Sequence, residues 1–279
     1  MRNAPWRLRR ALDRHPVRAG FAALAAAVTV AAALVTIGGP DEGSGGGATA
    51  PAIDAAALPQ GPLGVLPSVS APEAQKAPPG PNFDIARLWS GRHVVLRDAP
   101  GGGALARVGD ETEFGLPRTF WIAARRGDWI GAHSPELANE RLGWIRDDRE
   151  NLRVYSTPYW LEVSLSAQRI ELNYGRRTLR RIPVTVGAAG TETPIGDYAI
   201  TDSLAGAAIP DYYGCCVLAL SGHQTSLPAG WIGGDRIAIH GSAGPIGGAA
   251  SHGCLRAGDR DLVALLARVP LGTPVFIRA

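Results

Sequence analysis

The chain has 279 residues, enough for two domains, and its 46% hydrophobic content is ample for packed cores. Its formal charge of +3 is unevenly placed, because six arginines and one aspartate up to Arg18 contribute +5 and leave −2 for everything beyond. No Lys/Arg cluster lies in that remainder, so nucleic acid is set aside as a partner. Many of the 36 glycines and 22 prolines sit between Gly38 and Pro81, so folded mass is expected after that stretch.

Residues 1–18 form a basic tail that runs directly into Ala19–Gly39, 21 residues without a charge. That length is about the ~20 apolar residues a helix needs to cross a bilayer, and no polar face interrupts it. The arginines in front predict a cytoplasmic N-terminus with the rest of the chain outside. A cleaved signal peptide is the rival, but its apolar region is usually shorter, roughly 7–15 residues, and length favours an uncleaved single-pass anchor. Residues 40–81, rich in Pro, Gly and Ala, read as a disordered linker that cannot bury enough apolar surface to fold.

Residues 82–155 alternate short apolar runs with turn signals: HVVLRD, APGGGA, LARV, GDETEFG, TFWIAARRG, DWIGAHS and RLGWIRDD. Arg126-Gly127-Asp128 between two Trp-bearing runs reads as a hairpin turn. Such spacing predicts a compact barrel or sandwich. Trp121, Trp129 and Trp144 read as core rather than as a binding groove, and Arg125 and Arg126 as a solvated face.

From residue 158 to 279 a second β-rich unit is expected. Leu161, Val163 and Leu165 alternate with Glu162, Ser164 and Ser166, the period of a half-buried strand. Further strands are expected at 168–172, 178–186, 198–201, 236–239 and 273–277. Asp259–Val269 carries apolar residues at 262, 263, 265, 266 and 269, a helical stripe. The chain as a whole is therefore mainly β with one late helix.

Chemistry concentrates in His240–Arg256. A free thiol near pKa ~8.5 is mostly protonated at neutral pH and needs a base to attack an acyl carbon. Two imidazoles are candidates. His252 lies two residues from Cys254, on the same side of an extended segment, and His240 lies at a strand end. The ten residues between His240 and Ser251 include four Gly and one Pro, which suits a loop. The amides of His252, Gly253 and Cys254 could form an oxyanion hole. A zinc site fits poorly, since metal-ligand spacings are absent and no acidic residue lies between His240 and Arg256. A Gly-rich loop holding a satisfied histidine and a buried cysteine is the bland alternative.

Ser251-His252-Gly253-Cys254-Leu255-Arg256, preceded by Ile239-His240-Gly241, closely resembles the signature of L,D-transpeptidases of the YkuD type. VSLSAQRIELNYGRR, IPVTVG and TPIGDY resemble that family's opening strands in order. The resemblance implies a YkuD-like β-sandwich, with Cys254 as nucleophile and His240 as proton acceptor. It also implies that a carbonyl near Gly241 or Ser242 orients the imidazole, and that Arg256 holds the site or a substrate carboxylate. The loop from His240 to Ser251 is shorter than usual for the family. The stretch around Cys215-Cys216 corresponds to the family's lid, making Tyr212, Tyr213 and His223 lid candidates. For the adjacent cysteines, alternating strand faces would bury one and expose the other, with a vicinal disulfide as the alternative.

The resemblance implies a peptidoglycan tetrapeptide stem as donor, an amine acceptor, 3→3 crosslinks on the cell-wall side of the membrane, and no cofactor or metal. It further implies acylation by carbapenem-type β-lactams. An L,D-carboxypeptidase and a non-catalytic wall-binding protein are the alternatives. The 82–155 segment more loosely resembles bacterial SH3-like domains that often precede cell-wall enzymes, in VLRDAPGG and LGWI.

Overall fold

The computed structural model describes residues 79–205, 209–231, 234–242 and 244–279. The basic tail, the expected anchor at 19–39 and nearly all of the linker lie outside them. Among the described residues no helix is long and apolar enough to cross a membrane.

The first sheet is built from β1 (Phe83–Leu88), β2 (His93–Arg97), β3 (Ala104–Gly109), β4 (Thr119–Arg126), β5 (Trp129–Ala132), β6 (Gly143–Arg146) and β7 (Leu152–Thr157). Its strand order is β3-β2-β6-β5-β4-β1-β7, and its pairings are antiparallel. No β3–β7 pairing closes the ladder, so by its hydrogen bonds the expected barrel is an open sheet. Its last strand also runs past residue 155. The hairpin at 126–128 forms as expected: Arg126 pairs with Trp129, and Gly127 takes φ 55°, a left-handed turn conformation that only glycine adopts freely.

Strand periodicity gives β4 two jobs. Phe120 and Ile122 enter the core of this sheet with Leu88, Leu96, Ile130 and Ile145. Trp121, one residue out of phase and only 7% exposed, points to the opposite face. There it stacks on His133 and meets Phe83 and Phe276 edge-on, so it is seam rather than module core. Trp144 is buried under the Arg126 guanidinium, and Trp129 is half-buried.

The second sheet contains β8 (Tyr159–Ser164), β9 (Arg169–Tyr174), β10 (Arg177–Gly187), β11 (Gly196–Ala205), β12 (Cys216–His223), β13 (Arg236–Ser242), β14 (Ala249–Ser251), β15 (Leu255–Gly258) and β16 (Pro274–Arg278). Its order is β14-β10-β15-β13-β12-β11-β16-β8-β9, and a further β9–β10 pairing closes it on itself. Two long strands make the sandwich. β10 pairs with β9 through Pro183 and with β15 from Val184, and β11 pairs with β16 through Ala199 and with β12 from Ile200. Proline suits the switch, because it lacks the N–H that a continuing ladder would need. Between the faces lie Leu161, Val163, Ile182, Tyr198, Leu218, Ile239 and Leu255.

The late helix α1 (Asp259–Leu266) is three residues shorter than its stripe suggested. Pro270 follows and disfavours helical backbone just before it, so Val269 tucks into the core from a turn. Leu262 and Leu265 are fully buried, whereas Val263 faces solvent.

Candidate active site

β13 ends in His240-Gly241-Ser242, two to three residues beyond its expected limit, and β15 runs parallel to it with His240 opposite Arg256. Cys254 immediately precedes β15. This parallel pair, fed by the glycine-rich connection, brings residues fourteen positions apart to the same end of the sandwich. His240, Ser242, Ser251, His252, Cys254 and Arg256 share a cavity of about 550 Å³ with Tyr212, Tyr213, Gln224, Trp231 and Arg236. A second cavity of about 610 Å³ opens at the seam beside Trp121, His133, Asp197 and Phe276, away from the thiol.

His240 is buried, and its Nδ1 lies 2.7 Å from the Gly241 carbonyl. A carbonyl only accepts, so Nδ1 carries the proton and Nε2 is left with its lone pair. Burial holds the imidazole below its usual pKa and the Arg256 charge adds to this, against contacts with the Gly241 and Tyr213 carbonyls that raise it. Cys254 is a free, half-buried thiol. Burial pushes it up, opposed by the Ala238 main chain and the Arg256 charge. Both shifts favour the uncharged state of each group. In this state the sulfur donates to the Arg236 carbonyl at 3.9 Å rather than to His240.

Ser251 shapes the turn that carries the thiol. Its hydroxyl donates to the Cys254 carbonyl at 2.6 Å and accepts from the Gly253 amide at 3.1 Å. The Gly253 amide is thereby used, which removes it from the expected oxyanion hole. For the amides of His252 and Cys254 no partner is found among the described residues. Gly253 has φ 107°, and a Cβ there would lie 2.2 Å from Gln224 Nε2, so both backbone and space demand glycine. That Nε2 donates to the carbonyls of Thr191, Glu192 and His252 at 3.1, 2.9 and 3.2 Å.

The expected lid divides. Asp211–Tyr213 is a single 3-10 turn, in which Tyr212 is 70% exposed and Tyr213 packs edge-on against His240 at 4.9 Å. Cys216–His223 is a central strand of the sandwich, not a lid, and the residues after it, Gln224 and Trp231 among them, return to the cavity. His223 is therefore a correction: it stands at the far end of β12, outside the cavity, bonded to Pro135 and Asn139 of the first sheet. Of the two readings of Cys215 and Cys216, the vicinal disulfide is the one that forms. The turn is pinned close to the histidine strand, with the Cys215 amide donating to Asp259 Oδ1 at 3.2 Å. A Cβ on Gly241 would lie 2.2 Å from that oxygen.

Sequence reasoning missed Gln224, Arg236 and Trp231. The polar pair His223-Gln224 closing the apolar run CVLALSG was the available signal for the first. Trp231, 43% exposed, lies 5.1 Å from the His252 ring and forms the outer wall.

A family model, the YkuD L,D-transpeptidase catalytic domain, matches residues 158–277. The YkuD protein of Bacillus subtilis strain 168, named as an L,D-transpeptidase, is 32% identical over 125 residues, covering 44% of this chain and 68% of that protein. Its namesake in Bacillus licheniformis is 33% identical over 122 residues, covering 43% and 66%. About a third of each relative thus lies outside the match. Among solved structures, the L,D-transpeptidase of Xylanimonas cellulosilytica has a TM-score of 0.33 at 23% identity, covering 44% of this chain and 61% of that one. L,D-transpeptidase 3 of Mycobacterium tuberculosis, in complex with a faropenem-derived adduct, has a TM-score of 0.35 at 15% identity, covering 50% and 73%.

Proposed function

The chain belongs to the YkuD family of L,D-transpeptidases, and from that premise we propose that it transfers peptidoglycan acyl groups through Cys254. The observation that carries this is one cavity holding a free thiol, an imidazole whose Nδ1 is bonded to Gly241, and Arg256, which forms no ion pair among the described residues.

The donor is a tetrapeptide stem. Its terminal carboxylate suits the Arg256 guanidinium, a fork-shaped donor. Cys254 attacks the carbonyl of the third, diamino-acid residue, forming a C–S bond while the thiol proton passes to His240 Nε2. The charge that develops on the carbonyl oxygen is met by the amides of His252 and Cys254. Collapse breaks the amide C–N bond, and the proton on Nε2 goes to the departing D-Ala nitrogen. An amine of a neighbouring stem then attacks the thioester, gives its proton to Nε2, and expels the sulfur, which takes that proton back. The product is a 3→3 crosslink. Because burial shifts both groups towards their uncharged forms, His240 acts as a base when substrate arrives rather than as half of a preformed ion pair. Such assistance contributes typically 10²–10⁴-fold.

Strained acyl groups of carbapenem type are expected to acylate the same thiol. We place the catalytic unit outside the membrane, tethered by residues 19–39 as a single-pass anchor and by the linker that follows, and the first sheet as an SH3-like module. The test is intact mass of the protein incubated with a defined tetrapeptide stem. An adduct of the stem less D-Ala, lost in Cys254→Ala, is expected, and an adduct that persists in that variant refutes the assignment. Release of free tripeptide in the presence of acceptor amine would make the outcome a carboxypeptidase one.

A further inference from the structure

The first sheet touches the catalytic unit at two polar points, and each leads within one residue to the segment that holds the thiol. The first is at the end of β12. Beyond Leu220 its β11 partner has crossed over to pair with β16. Asn139, from the loop between β5 and β6, takes the vacant place: His223 N–H donates to its Oδ1 at 2.8 Å, and its Nδ2 donates to His223 O at 2.7 Å. A side-chain amide used in this way reproduces a ladder pair and fixes the strand end in both directions. The His223 ring is held as well, with Nε2 2.7 Å from Pro135 O of the same loop and Nδ1 3.0 Å from Asp235. The next residue is Gln224. Its amide group joins the 191–192 turn to His252 O and closes over Gly253.

The second point is Arg236. Its guanidinium is bound to Glu113 of the first sheet and to Thr201 Oγ1 and Leu220 O of the second at 2.6 Å each. Beside it Thr112 donates to the fully buried Asp202, whose second oxygen is 3.7 Å from Arg236. The main-chain oxygen of Arg236 is the atom that receives the Cys254 thiol.

We infer that Asn139 and Glu113 are positioning residues for acyl transfer, and that the first sheet is a working part of the active site. Asn139 sets Gln224 and hence the turn that aims the His252 and Cys254 amides. Glu113 sets Arg236 and hence the acceptor that holds the sulfur at rest. Neither residue lines the cavity. The inference rests on the acyl-transfer reading above, and misplacement of reacting groups by about 1 Å is enough to cost ~10²-fold in rate.

The test uses the whole chain carrying Asn139→Ala, with Asn139→Asp, Glu113→Gln and Arg125→Ala beside it. Steady-state turnover and single-turnover acylation are measured with a defined tetrapeptide stem, and rates are scaled to the folded fraction from circular dichroism. Asn139→Ala is expected to lower kcat by about ten- to hundred-fold with KM within about twofold, since aim and not ground-state binding is lost. Asn139→Asp keeps the acceptor for His223 N–H and is expected to fall between Asn139→Ala and wild type. Glu113→Gln keeps a polar contact to Arg236 and is expected to lose less than Asn139→Ala. Arg125→Ala, which breaks two surface pairs of the same sheet, is expected to match wild type. Wild-type kcat in folded Asn139→Ala overturns the inference, as does a loss that disappears after scaling or one confined to KM. If wild type itself forms no Cys254 adduct, it is the acyl-transfer reading that fails.

Discussion

In the first sheet, one buried charge is fully paired. Arg118 is 7% exposed, and its guanidinium is used up on the carbonyls of Gly109 and Glu111 and on Glu136. In the catalytic sandwich the buried polar groups also bond one another, as Ser251 and Gln224 do, yet a few next to the thiol are left open. His240 Nε2, the Arg256 guanidinium and the amides of His252 and Cys254 all lie by the cavity. Donors and an acceptor that a substrate could meet are thus gathered round one sulfur. Arg118 is buried and fully bonded, whereas Arg256 is only partly buried and forms no ion pair among the described residues.

Substitutions can break or sharpen that contrast. The largest expected stability loss is in the seam, where Trp121→Ala removes a buried ring that meets Phe83, His133 and Phe276. It should cost about 3–5 kcal/mol in urea unfolding. A cost under ~1 kcal/mol would show that the two sheets do not rest on that ring. Ser251→Ala strands the Cys254 carbonyl and the Gly253 amide together. It should cost about 1–3 kcal/mol and slow acylation by a carbapenem in stopped flow, and unchanged acylation would mean the hydroxyl does not shape the turn.

The pH dependence is a subtler separation. His240 is held below its usual value, so the imidazole stays a free base as pH falls past ~6.5, and acylation is lost only below that point. Cys254 is pushed up, so alkylation of the resting thiol by iodoacetamide should rise only above ~8.5. An acid limb above ~6.5 together with fast alkylation at neutral pH would instead indicate a preformed ion pair. Smallest of all, Arg125→Ala breaks exposed pairs with Asp84 and Asp147 and should change stability by at most ~1 kcal/mol.

Alternation was the most legible signal in the sequence. Leu161 and Val163 are fully buried while Glu162 is exposed, as their period requires, and the 126–128 hairpin followed from its turn residues. Strands whose apolar runs lack punctuation were not legible. β1 and β7 passed unnoticed, and Cys216–His223 was read as lid because the family pattern, not the burial of Val217–Leu220, guided that reading. The helix ended early because the stripe is blind to Pro270. At the site, the SHGC motif with His240 pointed to groups that the fold brings into one cavity. It could not announce Gln224 or Arg236, whose meaning arises from the bonds of Asn139 to neighbouring His223 and of Glu113 to Arg236, 84 and 123 positions away. Nor could it show that Ser251 would occupy the Gly253 amide, since such competition between donors is settled only by the turn's geometry.

The proposed acyl transfer depends on the imidazole of His240 drawing the proton from Cys254 once substrate is bound. Single-turnover acylation at pH 7 by a defined tetrapeptide stem, compared between wild type and His240→Ala, reads that step alone. The expected result is a fall of about 10²–10⁴-fold with the stem still bound. Equal rates in the two proteins would contradict it, whatever the sequence around Cys254 resembles.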